Sequence, residues 1–308
     1  MSIKLCSFAV MLYLILSACC SLLLVVVFKL FGKYQIESFQ AIVANYVVCV
    51  ITGCLVSSSF PFEVSVLSQP WFPLIAFLGL LFIGGFYIAS MTVQHFGVAI
   101  ASVAQRMAWI ISVSFAILFH GEPYTWIKIT GILIAIFAVI IINIPPKNNK
   151  TLNPLEVVED NPQKPTSLLL YPLAIFIISG LIEIILQYLN KVHGLDPTVQ
   201  CLILFGAAGT LGIIALTFAV VTKRIKLAWK NLVGGIFLGI PNYFSIYFLL
   251  LALDTGLDGS VAYPISNILI VGSSALVGYF VFKERLSVLN ALGVFLAMSS
   301  IYLIAFFA

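Results

Sequence analysis

Residues 97–144 read GVAIASVAQRMAWIISVSFAILFHGEPYTWIKITGILIAIFAVIIINI, two apolar runs joined by a short polar corner at His120-Gly121-Glu122-Pro123. Residues 256–306 repeat the pattern as GLDGSVAYPISNILIVGSSALVGYFVFKERLSVLNALGVFLAMSSIYLIAF. Ser102-Val103-Ala104 answers Ser260-Val261-Ala262, Glu122 answers Glu284, and Gly131 answers Gly293. The match extends outward to Ser17 with Ser179, Lys29 with Lys191 and Gly32 with Gly194, at the same offset of 162 that relates the two glutamates and the two glycines. Only the Ser-Val-Ala pair sits at 158, about one helical turn short. A chain that writes one long apolar hairpin twice is a duplicated membrane protein.

Composition agrees. Hydrophobic residues make up 62% of the 308 and charged ones 8%, against about 25% charged in a soluble domain. So apolar a chain has lipid as its solvent. The net charge of +4 is no nucleic-acid footprint. Six cysteines lie in or beside apolar runs with no CxxC pair, so neither a disulfide framework nor a metal site is expected. The run from Phe8 to Phe28 exceeds the h-region of a signal peptide and reads as a retained membrane helix.

Apolar runs of spanning length fall at about 8–28, 38–60, 71–94, 97–119 and 125–144, then at about 168–190, 197–222, 231–253, 259–282 and 286–307. None alternates like a barrel strand, so helices are required. The expected fold is an all-α polytopic membrane protein of ten transmembrane helices in two inverted five-helix repeats. Residues 1–144 form the first repeat and 168–308 the second. Residues 145–167, rich in Pro, Asn and charge, form a cytoplasmic linker. Five is odd, so the second copy enters the membrane from the opposite side, a design common in transporters. With the amino terminus outside, eleven basic residues fall in inner loops and three in outer ones. The positive-inside rule therefore places both termini on the outer face.

Two ionisable residues lie deep in spans, Arg106 in the fourth and Glu183 in the sixth. A charge at the bilayer centre costs about 2.5–3.5 kcal/mol on insertion scales. Arg106, nine residues past Gly97, sits about 13 Å into the membrane. It is expected to face a polar cavity and bind an anionic group of the substrate; pairing with Glu183 is the structural alternative. Gln187 follows Glu183 by one turn on the same face, and a buried glutamate there is a candidate proton carrier. Tyr263-Pro264-Ile265-Ser266-Asn267 in the ninth span and Pro241-Asn242-Tyr243 in the eighth are expected to break or kink their helices at the prolines, an ordinary membrane-helix kink being the alternative to a site. Pro264 is also the repeat partner of Arg106, which places the site at midplane between the repeats. The expected substrate-binding set is Arg106, Glu183, Gln187, Asn242, Tyr243, Tyr263, Pro264 and Asn267. Asn45, Gln94, His95 and Gln105 are further hydrogen-bonding candidates, and Trp109 a stacking one. No catalytic motif is present, and Glu122 and Glu284, beside turns, read as solvated carboxylates or helix N-cap partners.

Phe119-His120-Gly121-Glu122 leading to Gly131, and Phe282-Lys283-Glu284-Arg285-Leu286 leading to Gly293, resemble the drug/metabolite transporter superfamily, specifically its EamA-type ten-helix members. The likeness covers nearly the whole chain. It implies a central cavity opened alternately to each side, and substrates such as amino acids, metabolites or drugs, commonly moved outward. The Pro in the ninth span follows the family's habit. Arg106 departs from the commoner small or apolar filling and favours an anionic or zwitterionic substrate. The expected function is a non-enzymatic secondary transporter, an exporter of a small metabolite such as an amino acid or carboxylate, in the inner membrane. It needs no cofactor or metal, has the lipid bilayer and a small molecule as partners and protons as a candidate coupling ion, and works as monomer or homodimer. The alternatives are an exchanger of phosphorylated sugars or nucleotide sugars, and a multipass membrane enzyme or scaffold.

Overall fold

In lipid a spanning backbone must satisfy its own hydrogen bonds, and in the computed structural model of the chain the apolar runs do so as helices. The structure describes residues 2–57, 68–111, 114–115, 125–142, 170–193, 197–254, 259–284 and 287–307, and among these no strand occurs. The helices are α1 (Ser2–Tyr34), α2 (Ser38–Ser57), α3 (Phe72–Phe96), α4 (Val98–Arg106), α5 (Trp126–Ile142), α6 (Leu170–His193), α7 (Pro197–Val221), α8 (Trp229–Asp254), α9 (Gly259–Phe280) and α10 (Val288–Phe307). Five of them, α1, α2, α3, α7 and α8, are long and apolar enough to cross a bilayer, and the other five carry shorter apolar stretches. The chain is an all-α polytopic membrane protein. The segment 145–167, expected as a linker, lies outside the described residues, as does Glu122.

The inverted repeat shows in which helices touch. Exchanging α1–α5 with α6–α10 maps the main contacts between the halves onto one another: α1 packs on α8 and α6 on α3, α2 on α8 and α7 on α3, α1 on α9 and α6 on α4. The pairs α2–α7, α4–α9 and α5–α10 map onto themselves. Most packing thus runs between the halves. The match is unequal, because α8 lies more closely on α1 and α2 than α3 does on α6 and α7.

Gly235 and Gly239, one turn apart on α8, explain that closeness. Small residues at this spacing let membrane helices approach. A Cβ added at Gly235 would stand 2.4 Å from Ala44 Cβ and 2.7 Å from the Ala41 carbonyl oxygen, and one at Gly239 would stand 2.8 Å from the Asn45 carbonyl oxygen. Backbone cannot yield as a side chain can. G235V is therefore expected to cost about 3 kcal/mol or more of stability. By contrast, a Cβ at Gly84 meets nothing within 4 Å, so G84A should be neutral or stabilising by about 0.5–1 kcal/mol. Thermal melts of the two variants in detergent check both signs.

Around this seam an apolar core joins α1, α2, α3, α4, α6, α7 and α8. Its centre is aromatic: Phe205 stacks on Tyr46 at 6.1 Å between ring centroids and tilts against Tyr243 at 6.3 Å. A second core joins α4, α5, α9 and α10 through Val103, Met107, Ala135, Val271, Val294 and Ile301.

The helix breaks expected at the prolines do not occur. α8 runs helical through Pro241 and α9 through Pro264. A proline removes one donor, and packed neighbours in a membrane bundle absorb that loss; Pro264 also lies only five residues past the first residue of α9. The break falls instead in the first half, directly after Arg106. There Met107 and Ala108 form a turn and helical backbone resumes at Trp109. The N–H groups of Ala108, Ile110 and Ile111 donate to the carbonyls three residues earlier, at 3.4, 3.1 and 2.9 Å, so the helix tightens to 3₁₀ geometry, a frequent mark of a hinge.

Candidate functional site

The helix α4 begins abruptly. Gly97 takes φ +91°, a conformation that glycine enters without strain, and turns the chain from α3 into α4. The new helix's first N–H, that of Val98, donates to both carboxylate oxygens of Glu284 at 3.0 and 3.1 Å. Glu284 stands in the loop between α9 and α10, so the second half caps a helix of the first. The negative carboxylate also complements the positive end of the helix. Lys29 on α1 pairs with the same carboxylate at 3.3 Å. Gly97 and Gly278 leave it room, since a Cβ on either would come within 2.7 Å of a Glu284 oxygen. Glu284 is thus a helix-cap partner.

A second polar knot ties the halves at the same end of the bundle. The amide nitrogen of Gln40 donates to the Lys226 carbonyl at 2.9 Å. Its oxygen accepts from the Ala228 N–H at 3.2 Å and from the Asn231 side chain at 3.0 Å. Asn231 in turn accepts from the Glu37 N–H at 3.0 Å, and the Glu37 carboxylate takes the N–H groups of Phe39 and Gln40, at 3.1 and 2.9 Å, capping α2.

Along α4 the residues sort by face. At 100° per residue, Ser102, Gln105, Arg106 and Trp109 share an arc of about 100°. Val98, Ala101 and Ala104 belong to the first core, and Ile100, Val103, Met107 and Ile110 to the second. The polar arc lies between the two. Arg106 is half-buried on this arc. Glu183, on the neighbouring α6, is the acidic group whose charge acts on it. Ser102 Oγ and the Trp109 indole nitrogen are buried and have no hydrogen-bond partner among the described residues.

The structure therefore places Arg106 on α4 and Glu183 on α6, two helices that pack together, and sets Asn267, 3% exposed, on α9, which also packs against α4. Asn242 and Tyr243 lie elsewhere, in the α2–α8 seam and the aromatic core. The Asn242 side chain donates to Asn45 Oδ1 at 3.1 Å and to Cys49 Sγ at 3.5 Å, so both asparagines hold helices together. Gln94 donates to Ser90 and Ser38 at 2.9 and 3.2 Å, and His95 stacks on Tyr171 at 5.9 Å; both tie helices to their neighbours. Gln187, Tyr263 and Pro264 fall on α6 and α9, but their side chains lie outside the described residues.

A bundle of apolar helices, five of them long enough to span a bilayer, is that of a multi-pass membrane protein, and the comparison gives its class, a membrane transporter of small solutes. Residues 10–144 match the model of the EamA-like transporter family, in line with the resemblance read from the hairpin motifs. Over 294 residues the chain is 26% identical to an uncharacterized protein of Haemophilus influenzae, covering 94% of this chain and 96% of that one. A protein of known crystal structure shares the fold with a TM-score of 0.59 at 16% identity, over 96% of each chain.

Proposed function

We propose that the protein is a secondary transporter that exports a small metabolite bearing a carboxylate, an amino acid or a simple organic acid, by alternating access between its two repeats. The observation that carries this reading is Arg106. A half-buried cation in a helix of a membrane bundle, with Glu183 on a helix packed against its own, is costly unless it works. It supplies a planar, bidentate seat for a carboxylate. The hinge after it, at Met107–Ala108, allows that seat to move with one half of α4. Protonation of Glu183 offers a coupling route. A phosphorylated sugar would call for several cations around one site, and the polar arc of α4 carries one.

The repeat units are residues 1–144 and 168–308, joined by the segment 145–167 on the cytoplasmic side of an inner membrane. The eleven basic residues assigned to that side support the orientation. Reporter tags at the two ends should then both be found on the outer face. Tags on opposite faces would refute the ten-pass arrangement.

Uptake into proteoliposomes is the functional test, run with a panel of amino acids, organic acids and phosphorylated sugars, with and without a pH gradient. Accumulation of a carboxylate-bearing solute is the expected result. Movement of sugar phosphates alone would reject the reading.

A further inference from the structure

We infer that the turn between α7 and α8 is a binding surface for the headgroup of an anionic phospholipid, with the flanking helix ends taking its acyl chains. The assignment requires only that the chain lies in a membrane, and it holds whichever solute is carried. Residues 223–230 read Lys-Arg-Ile-Lys-Leu-Ala-Trp-Lys, four cations in eight positions. Lys223, Arg224, Lys226 and Lys230 are all exposed, and among the described residues none of them has an ion-pair partner. The acidic groups described at this end of the bundle are engaged already. Glu37 caps α2, while Glu284 holds Lys29 and caps α4.

A diffuse excess of lysine on one side of a membrane needs no particular shape. This turn has one. Lys223 ends α7 in the left-handed region, at φ +56°. Its N–H donates to the Val220 carbonyl and the Arg224 N–H to the Ala219 carbonyl, both at 2.9 Å. Glycine is the usual residue at such a cap, yet the position holds a cation. Past the cap, Gln40 of α2, 1% exposed, bonds the Lys226 carbonyl and the Ala228 N–H, and Asn231 bonds Gln40 in turn. Two buried amides thus clamp the backbone that carries the four cations, so little of its freedom is left to lose when a ligand binds.

Apolar surface adjoins the charge. Phe218 and Val221, three residues apart and so on one face of α7, are both exposed, as are Leu227 and Trp229. Trp229 is the first residue of α8 and is 76% exposed. An indole at the end of a span settles between headgroups and chains, and the cations beside it then stand at the level of the lipid phosphates. Phosphate seat and acyl-chain seat occur on one surface. A soluble anion would use only the first, whereas a phospholipid uses both, and each cation near an anionic membrane surface adds to the attraction.

The experiment uses the purified full-length protein, stripped of lipid in an uncharged detergent. It is titrated with dioleoyl phosphatidylglycerol, dioleoyl phosphatidylcholine, glycerol 3-phosphate and polyaspartate. Melting temperature and native mass spectrometry read the binding. We expect phosphatidylglycerol to raise the melting temperature and to be retained in the spectrometer. Phosphatidylcholine should bind at least about tenfold more weakly, and the two soluble anions should do neither. K223Q, R224Q, K226Q and K230Q should each weaken phosphatidylglycerol by about fivefold, and all four together by more than about a hundredfold. Their lipid-free melting temperatures should match the parent's, since the side chains are exposed. W229A should weaken both lipids to the same degree. Q40L keeps every charge but frees the turn, and should weaken phosphatidylglycerol by about threefold.

Equal affinity for the two lipids overturns the assignment, as does a quadruple variant that keeps phosphatidylglycerol binding within about twofold of the parent. Glycerol 3-phosphate or polyaspartate binding as tightly as phosphatidylglycerol would make the occupant a soluble anion or an acidic protein, and overturns it equally. A folded Q40L that binds like the parent removes the role of the clamp alone; if Q40L does not fold, the four exposed positions decide the matter.

Discussion

Replacing Arg106 by Gln should reduce transport of the carboxylate substrate by about 30-fold or more while leaving the amount of protein in the membrane unchanged. Truncating one partner of a desolvated, hydrogen-bonded charge pair costs roughly 2–5 kcal/mol, and 1.4 kcal/mol is about tenfold. R106K keeps the charge but loses the planar fork, so it should retain transport at an intermediate level. Initial rates in proteoliposomes, normalised to reconstituted protein, measure both. The double variant R106Q/E183Q separates binding from scaffolding. If the two charges existed only to neutralise each other, removing both would restore stability and transport together. With the arginine in the site, the double variant folds and still does not transport.

The second large effect is expected at Glu284. Its carboxylate serves Lys29 and the first N–H of α4 at once, 186 residues away in sequence. E284A removes both contacts and should destabilise by about 1–3 kcal/mol, below the full cost of a buried pair because Lys29 and Glu284 keep 23% and 14% of their side-chain surface exposed. K29M, which leaves the cap intact, should cost less than half as much. Reversing the pair as K29E/E284K makes a sharper measurement. An ion pair alone would survive the exchange, but a lysine cannot accept the Val98 N–H and repels the positive end of α4. The reversed protein should melt below either single variant's parent, with slowed transport. Recovery of the parental melting temperature would show that the cap contributes nothing.

How much of this was legible in the sequence depends on the range of each interaction. Span number and repeat came from local composition and from paired residues such as Lys29 with Lys191, and nothing distant could overrule twenty apolar residues in lipid. Gly235-Ile-Phe-Leu-Gly239 was equally legible as a close-packing signal, since it rests on spacing alone, but its partner helix could be known only from the structure. The hinge after Arg106 had no signal: Gln105, Met107, Ala108 and Trp109 include no glycine or proline. Conversely Pro241 and Pro264 signalled breaks that packed neighbours absorb. Asn242 reads as a ligand for substrate because it follows Pro241 in an expected break; its partner is Asn45, 197 residues earlier. Ser102 reads in the sequence as a repeat anchor, and only the structure shows it buried on α4 with no partner among the described residues.

The interlocking of the halves bears on how the protein is made. As α1 to α5 leave the ribosome, α1 and α2 lack α8, α3 lacks α6 and α7, and α5 lacks α10. The newly inserted first half therefore waits in the bilayer as loosely associated rods, its asparagines and serines bonded to whatever lies near. Assembly is postponed until α8 arrives, some fifty residues before the chain's end. A ten-helix carrier of this kind matures late and nearly all at once, and the membrane's quality-control proteases have that whole interval in which to act.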